Sequence, residues 1–187
     1  SYSMRDEYGA VDVYLMPFIK PAQVRRFCED EITFYTDAVR FVISKLNINA
    51  ENRNVLVTHQ FVTGSVRSES EEISVGGSDQ VDADVFEPFD YVALGHLHSP
   101  QNCGSERIRY CGTPLKYSFS ETKDRKSVTV VELAEKGTVS YQTIDLIPQH
   151  DLVELRGTYA ELTLKSFYEG TTWQEDYTHI TLTDEED

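Results

Sequence analysis

Two short runs of β-branched and apolar residues, Val55–Thr58 and Tyr91–Leu94, each lead straight into a histidine-bearing segment: V-T-H-Q-F-V-T-G at 57–64 and G-H-L-H at 95–98. Such runs read as buried strands of an α/β sheet. Sites in open α/β sheets collect just beyond the carboxyl ends of strands, so His59, His96 and His98 stand where chemistry is expected. In extended backbone, residues i and i+2 point to one side, with Cα atoms roughly 6.5 Å apart. That spacing predicts that His96 and His98 face one site, and it suits two metal ions about 3.5 to 4 Å apart with one histidine serving each. Gly95, just before them, permits close backbone approach. A lone histidine is more often an ordinary hydrogen-bonded residue than a ligand, and His150 and His179 are read that way.

The remaining pattern is also α/β. Val11 to Phe18 alternates as a strand does, and Pro17 and Pro21 punctuate it. Apolar residues at Val24, Phe27, Ile32, Tyr35, Val39, Val42 and Leu46 predict one helical face, which the acidic run Glu29–Glu31 breaks into a short and a longer helix. Thr33 or Thr36 is the expected cap of the second piece. Gly64 to Gly77 reads as a long polar loop, a type that is usually functional. Ile108–Cys111, Ser127–Leu133 and Thr138–Leu146 read as strands, the last two joined as a hairpin through Glu135, Lys136 and Gly137. Pro148–Leu152 marks a boundary, followed by a helix over Thr158–Ser166 and a strand over Tyr177–Thr183. A lone strand before the charged tail predicts that it belongs to a domain cut short here.

Composition restricts the function. A chain of 187 residues with 40% apolar content can build one sizeable core. Its formal charge of -15 would repel a polyanion from the surface as a whole, so any contact with DNA must be local. No stretch approaches the roughly 20 apolar residues of a membrane helix, and the start lacks the layout of a signal peptide, so a cytoplasmic chain with no membrane role is expected. Cys28, Cys103 and Cys111 form no CxxC pair and are expected to be reduced thiols.

The order of an isolated histidine after a strand, then G-H-x-H, resembles the last two metal motifs of calcineurin-like metallophosphoesterases. Within that superfamily the chain is similar to the SbcD-type subunits of SbcCD DNA exonucleases, through L-M-P-F-I-K-P at 15–21, V-T-H-Q-F-V-T-G, S-E-S-E-E at 68–72, Y-V-A-L-G-H-L-H at 91–98 and Y-C-G-T-P-L-K-Y-S-F-S-E at 110–121. The resemblance runs from about Asp6 to Glu161. It implies a partial metallophosphoesterase sandwich, an α/β fold of mixed β-sheets flanked by helices, with residues 1–148 as the carboxy-terminal half of a nuclease domain. Residues 149–187 would be a linker and the start of a truncated capping domain.

The resemblance further implies a di-manganese site in which His59 and His96 ligate one ion and His98 the other. Such a site binds the scissile phosphate and lowers the pKa of an attacking water. Lys116, Tyr117 and Ser118 are the implied substrate-binding residues, within the most basic stretch of the chain, which also holds Arg107, Arg109, Lys123, Arg125 and Lys126. For Arg125 and Lys126 a solvated hairpin face is an equally good reading. DNA and an SbcC-type ATPase are the implied partners, with a homodimer in the intact complex acting in DNA repair, recombination and replication.

The family's earlier motifs, D-x-H, G-D-x-x-D and G-N-H-D, supply the carboxylates, the Asn ligand and the histidine thought to protonate the leaving group, and none occurs in these residues. Manganese prefers oxygen ligands. The expectation is therefore an enzyme fragment that is inactive alone, with apolar surface left exposed or covered by self-association. A non-catalytic scaffold for the ATPase is the alternative. A phosphoesterase for small phosphate esters is a third reading, against which the long subfamily word at 110–121 argues.

Overall fold

The computed structural model describes residues 1–29, 31–68 and 79–185. The S-E-S-E-E word beyond Ser68, most of the polar loop, Asp30 and the last two residues of the tail lie outside the described residues. In chain order the strands are β1 (Tyr2–Asp6), β2 (Gly9–Met16), β3 (Arg53–His59), β4 (Phe61–Val62), β5 (Gln80–Val81), β6 (Tyr91–Gly95), β7 (Gln101–Cys103), β8 (Ser105–Tyr110), β9 (Ser127–Leu133), β10 (Val139–Asp145), β11 (Leu152–Gly157) and β12 (Tyr177–Leu182). The helices are α1 (Pro21–Val24), α2 (Tyr35–Ser44), α3 (Tyr159–Leu162) and α4 (Lys165–Tyr168).

A six-stranded mixed sheet of order β1-β2-β3-β6-β8-β7 organises the chain. Strands β2, β3, β6 and β8 run parallel, and β1 and β7 close the edges antiparallel. Register explains which residues are buried. Tyr14, Leu56, Val92 and Ile108 form one row across the sheet, and Met16, Thr58, Leu94 and Tyr110 form the next row. Both rows are buried and pack with Val39 and Ile43 of α2 and with Val85, Phe86 and Phe89. Each such apolar side chain contributes roughly 1.5 to 3 kcal/mol relative to exposure.

The opposite face carries the alternate residues Leu15, Val57, Ala93 and Arg109. The β9–β10 hairpin covers part of it, where Arg109 lies 4.6 Å from the Tyr141 ring and Arg53 donates to the carbonyls of Leu133 and Ala134. Toward the carboxyl ends of the strands this face is open, with Leu15 59% and Val57 40% exposed.

Sequence patterning located β2, β3, β6, β9, β10 and α2 closely, and the hairpin turn is where it was expected. Three expectations need correction. The amino end of α2 is closed by Phe34, whose N–H donates to the Asp37 carboxylate at 3.0 Å, while Thr36 instead accepts from the Asp82 N–H. The helix expected over 158–166 is two single-turn helices, α3 and α4. The strand expected over 177–183 is not a lone one, because β11 pairs in parallel with β12. Among the described residues no helix is long and apolar enough to cross a membrane.

Candidate metal centre

Strands β3 and β6 are neighbours, and their register sets His59 opposite Gly95. The carboxyl ends of β2, β3 and β6 therefore deliver Phe18, His59 and His96 to one place. The His59 and His96 rings meet edge to face, with centroids 5.1 Å apart and an interplanar angle of 87°. Phe18 stacks on His96 at 5.8 Å and presents its edge to His59 at 6.4 Å. Gly95 is required by this approach, since a Cβ there would stand 2.9 Å from His59 Nδ1.

Buried hydrogen bonds hold these strand exits. Gln60 Nε2 donates to the Pro17 carbonyl at 2.9 Å, tying the exit of β2 to that of β3. The Tyr110 hydroxyl donates to the Gln60 carbonyl at 2.7 Å and accepts from the Val62 N–H at 2.9 Å. Gln60 and Tyr110 are fully buried, so the loop that starts at His59 is anchored from beneath.

The i, i+2 expectation for His96 and His98 presumes extended backbone. The chain leaves extended backbone at the end of β6, and His96 takes φ +106°, alone among the described non-glycine residues in having a positive φ. A non-glycine residue there is strained, and such residues concentrate at functional sites. His98 reaches different neighbours: its Nδ1 lies 3.1 Å from Glu121 Oε1, and its ring meets Tyr117 at 5.6 Å. The structure thus brings His59 and His96 together and gives His98 its own setting beside Glu121. Among the described residues no group of three or more His, Cys, Asp and Glu side chains is placed to hold a metal ion.

The setting of His98 is built from the long word at 110–121 and the residues after it. Glu121 is fully buried, and Lys126, with 2% of its side chain exposed, donates to Glu121 Oε2 at 2.6 Å, to Asp124 Oδ2 at 3.1 Å and to the His98 carbonyl at 2.9 Å. An ammonium has three donors, and all three are used here. The His98 carbonyl also accepts from the Thr113 N–H at 3.0 Å. Gly112 has φ +77°, and a Cβ on it would fall 2.6 Å from that carbonyl.

Lys116, Tyr117 and Ser118, the implied substrate-binding residues, meet different partners. Lys116 donates to the Thr122 carbonyl at 2.8 Å and to Asp151 at 2.9 Å, which ties it to the start of β11. Tyr117 is exposed, and Ser118 accepts from the Ser120 N–H and caps a short turn. The basic stretch is likewise divided. Arg109 and Lys126 are buried in specific contacts, whereas Arg125 is exposed and pairs with Asp145. Phe18, Gln60 and Glu121 are given no role by the sequence reading. Glu121 and Lys126 lie in one segment with opposite charges, but only burial reveals their pairing. His179 lies tilted against Phe119 at 5.1 Å, and His150 meets Tyr177 edge to face at 6.3 Å.

The cysteines are free thiols, as expected, and burial pushes the Cys103 thiol up. As a donor set for two manganese ions, the three histidines fall short among the described residues, because imidazoles alone do not satisfy hard ions that prefer oxygen.

A mixed α/β sheet with histidines gathered at the carboxyl ends of its parallel strands defines a partial sandwich of the phosphoesterase kind. Within that class the chain is related to the SbcD-type subunits of SbcCD nucleases. Over 157 residues it is 36% identical to the SbcD subunit of the SbcCD nuclease of Staphylococcus saprophyticus, covering 82% of this chain and 42% of that protein. Over 160 residues it is 29% identical to the corresponding SbcCD nuclease subunit of Staphylococcus epidermidis, covering 83% and 43%. The chain thus spans less than half the length of these curated relatives. No protein-family model matches it.

Proposed function

We propose that this chain is the carboxy-terminal part of the nuclease domain of an SbcD-type subunit, whose parent is a manganese-dependent exonuclease and endonuclease acting on DNA phosphodiesters in repair and recombination. His59, His96 and His98 are its nitrogen ligands. Carboxylate donors come from parts of the parent beyond the described residues. Residues 1–148 belong to the nuclease domain and 149–187 to a linker and the start of a capping domain. The parent works in the cytoplasm as a dimer of SbcD-type subunits, each with an SbcC-type ATPase.

The observation that carries this reading is the edge-to-face pair of His59 and His96 at the ends of adjacent parallel strands, 5.1 Å apart at the ring centroids. A strained His96 supports it, since backbone strain of this kind is rarely kept without a function. The absence of a three-donor group among the described residues favours the view that the chain alone is inactive, and it also favours a second reading, a non-catalytic scaffold for the ATPase.

Two measurements test the proposal. Nickel or zinc, which accept imidazole, should shift the ring signals of His59 and His96 together, and His59→Ala should remove the response. Manganese-dependent digestion of a labelled duplex should be negligible for this chain. Strong digestion that vanishes in His98→Ala would mean that these residues already build a complete site, and the fragment reading would be lost. In the intact parent, His96→Ala or His98→Ala should abolish cleavage and leave DNA binding largely unchanged. Retained cleavage there would favour the scaffold reading.

A further inference from the structure

We propose that Glu121, gripped by Lys126, is a positioning residue that fixes the tautomer of His98, with the proton on Nδ1 and the lone pair on Nε2. This rests on the reading above only in making Nε2 the working nitrogen. The argument begins with hydrogen-bond inventory. An ionised carboxylate has acceptors and no donor, and a neutral imidazole has one nitrogen of each kind. With Glu121 Oε1 at 3.1 Å from Nδ1, the favourable arrangement puts the proton on Nδ1. Histidines that serve metals or act as bases commonly have their second nitrogen held in this way, which sets both ring orientation and tautomer.

The surroundings make this carboxylate a fixed reference rather than a mobile one. Glu121 has no exposed surface, and its other oxygen receives Lys126 at 2.6 Å. The same ammonium donates to the backbone carbonyl of His98 at 2.9 Å. Lys126 therefore grips the histidine from its main chain while holding the acid that addresses its ring. The Thr113 N–H on the same carbonyl, and the close packing under Gly112, leave that main chain little freedom.

Glu121→Gln gives a sharp test, because the amide offers one acceptor and one donor group in the same shape. Lys126 is donor-only, so the amide oxygen turns to it and the NH2 faces His98 Nδ1. Nδ1 must then accept, and the proton moves to Nε2. Long-range proton–nitrogen correlation spectra of the labelled chain, taken where the ring is neutral, read this directly. In the unmodified chain His98 should carry its proton on Nδ1. In Glu121→Gln the Nδ1 proton signal should be lost and an Nε2 proton should appear, with the His59 pattern unchanged.

An Nε2 proton on His98 in the unmodified chain would overturn the proposal, and that spectrum is decisive even if the variant fails to fold. Retention of the Nδ1 proton in a folded Glu121→Gln chain would overturn it too. Metal titration of the same samples is a separate readout: the expected tautomers in a chain whose histidines take up no nickel would remove the metal role and leave the positioning intact.

Discussion

A Cβ placed on Gly95 would stand 2.9 Å from Nδ1 of His59, across the register of two parallel strands. The obstructing atom belongs to an exposed side chain, so the ring can swing aside at little cost to the fold. Gly95→Ala is thus expected to leave the melting temperature within a few degrees of the original while weakening nickel uptake by the His59–His96 pair. A calorimetric melt and a metal titration on one preparation check this, and unchanged uptake would separate the glycine from the site.

Gly112→Ala should behave oppositely. Its Cβ would meet a backbone carbonyl at 2.6 Å, and its φ of +77° is unfavourable for alanine. A loss of about 2 kcal/mol or more is expected in urea unfolding.

Lys126→Met takes the ammonium away from a fully buried carboxyl, Glu121. Breaking such a pair from one side costs about 3 to 5 kcal/mol, whereas replacing both members with apolar residues is close to neutral. Lys126→Met should therefore be strongly destabilised, and the double variant Lys126→Met with Glu121→Leu should recover much of the loss. A denaturant series on the three proteins tests the coupling.

Arg53 is 2% exposed and joins separate parts of the chain, donating to Asp6, to the Gly9 carbonyl at 2.9 Å and to the Leu133 and Ala134 carbonyls at 3.0 and 3.1 Å. Its rigid planar fork reaches both Asp6 oxygens and three carbonyls, more acceptors than the three donors of an ammonium can serve. Arg53→Lys should cost about 2 to 3 kcal/mol and loosen the β9–β10 hairpin. Faster amide exchange along β9 than along β3 would identify the hairpin as the part released.

The carboxyl of Asp12 is held below the ordinary carboxylate range, chiefly by the Asn52 side chain, which donates at 2.8 Å, and then by the Ser3 hydroxyl. A depressed folded-state pKa gives stability that is fully present above the unfolded value of about 3.9 and is lost as pH falls through the lower folded value. Asp12→Asn should flatten the dependence of the urea midpoint on pH below about pH 5. Equal slopes in the two proteins would show that Asp12 contributes nothing to acid lability.

The alternation of β2, the short β-branched runs of β3 and β6, the hairpin through Gly137 and the grouping of histidines after strands could all be read from the sequence, because periodicity and strand-end placement are local properties. The same locality explains why residues as far apart as His59 and His96 were matched: parallel neighbours bring strand ends together whatever lies between. What the tertiary structure alone decided was the direction of individual side chains. His96 takes a positive φ just past the end of β6, where the i, i+2 spacing presumes extended backbone, and no residue spacing encodes that. Lys116 and Lys126 carry the charge expected of phosphate contacts, yet each is committed to carboxylates, Asp151 for one and Glu121 with Asp124 for the other. Sequence records a charge, and only the packed chain sets what that charge must answer, because burial makes an unpaired ion costly and forces it to find a partner.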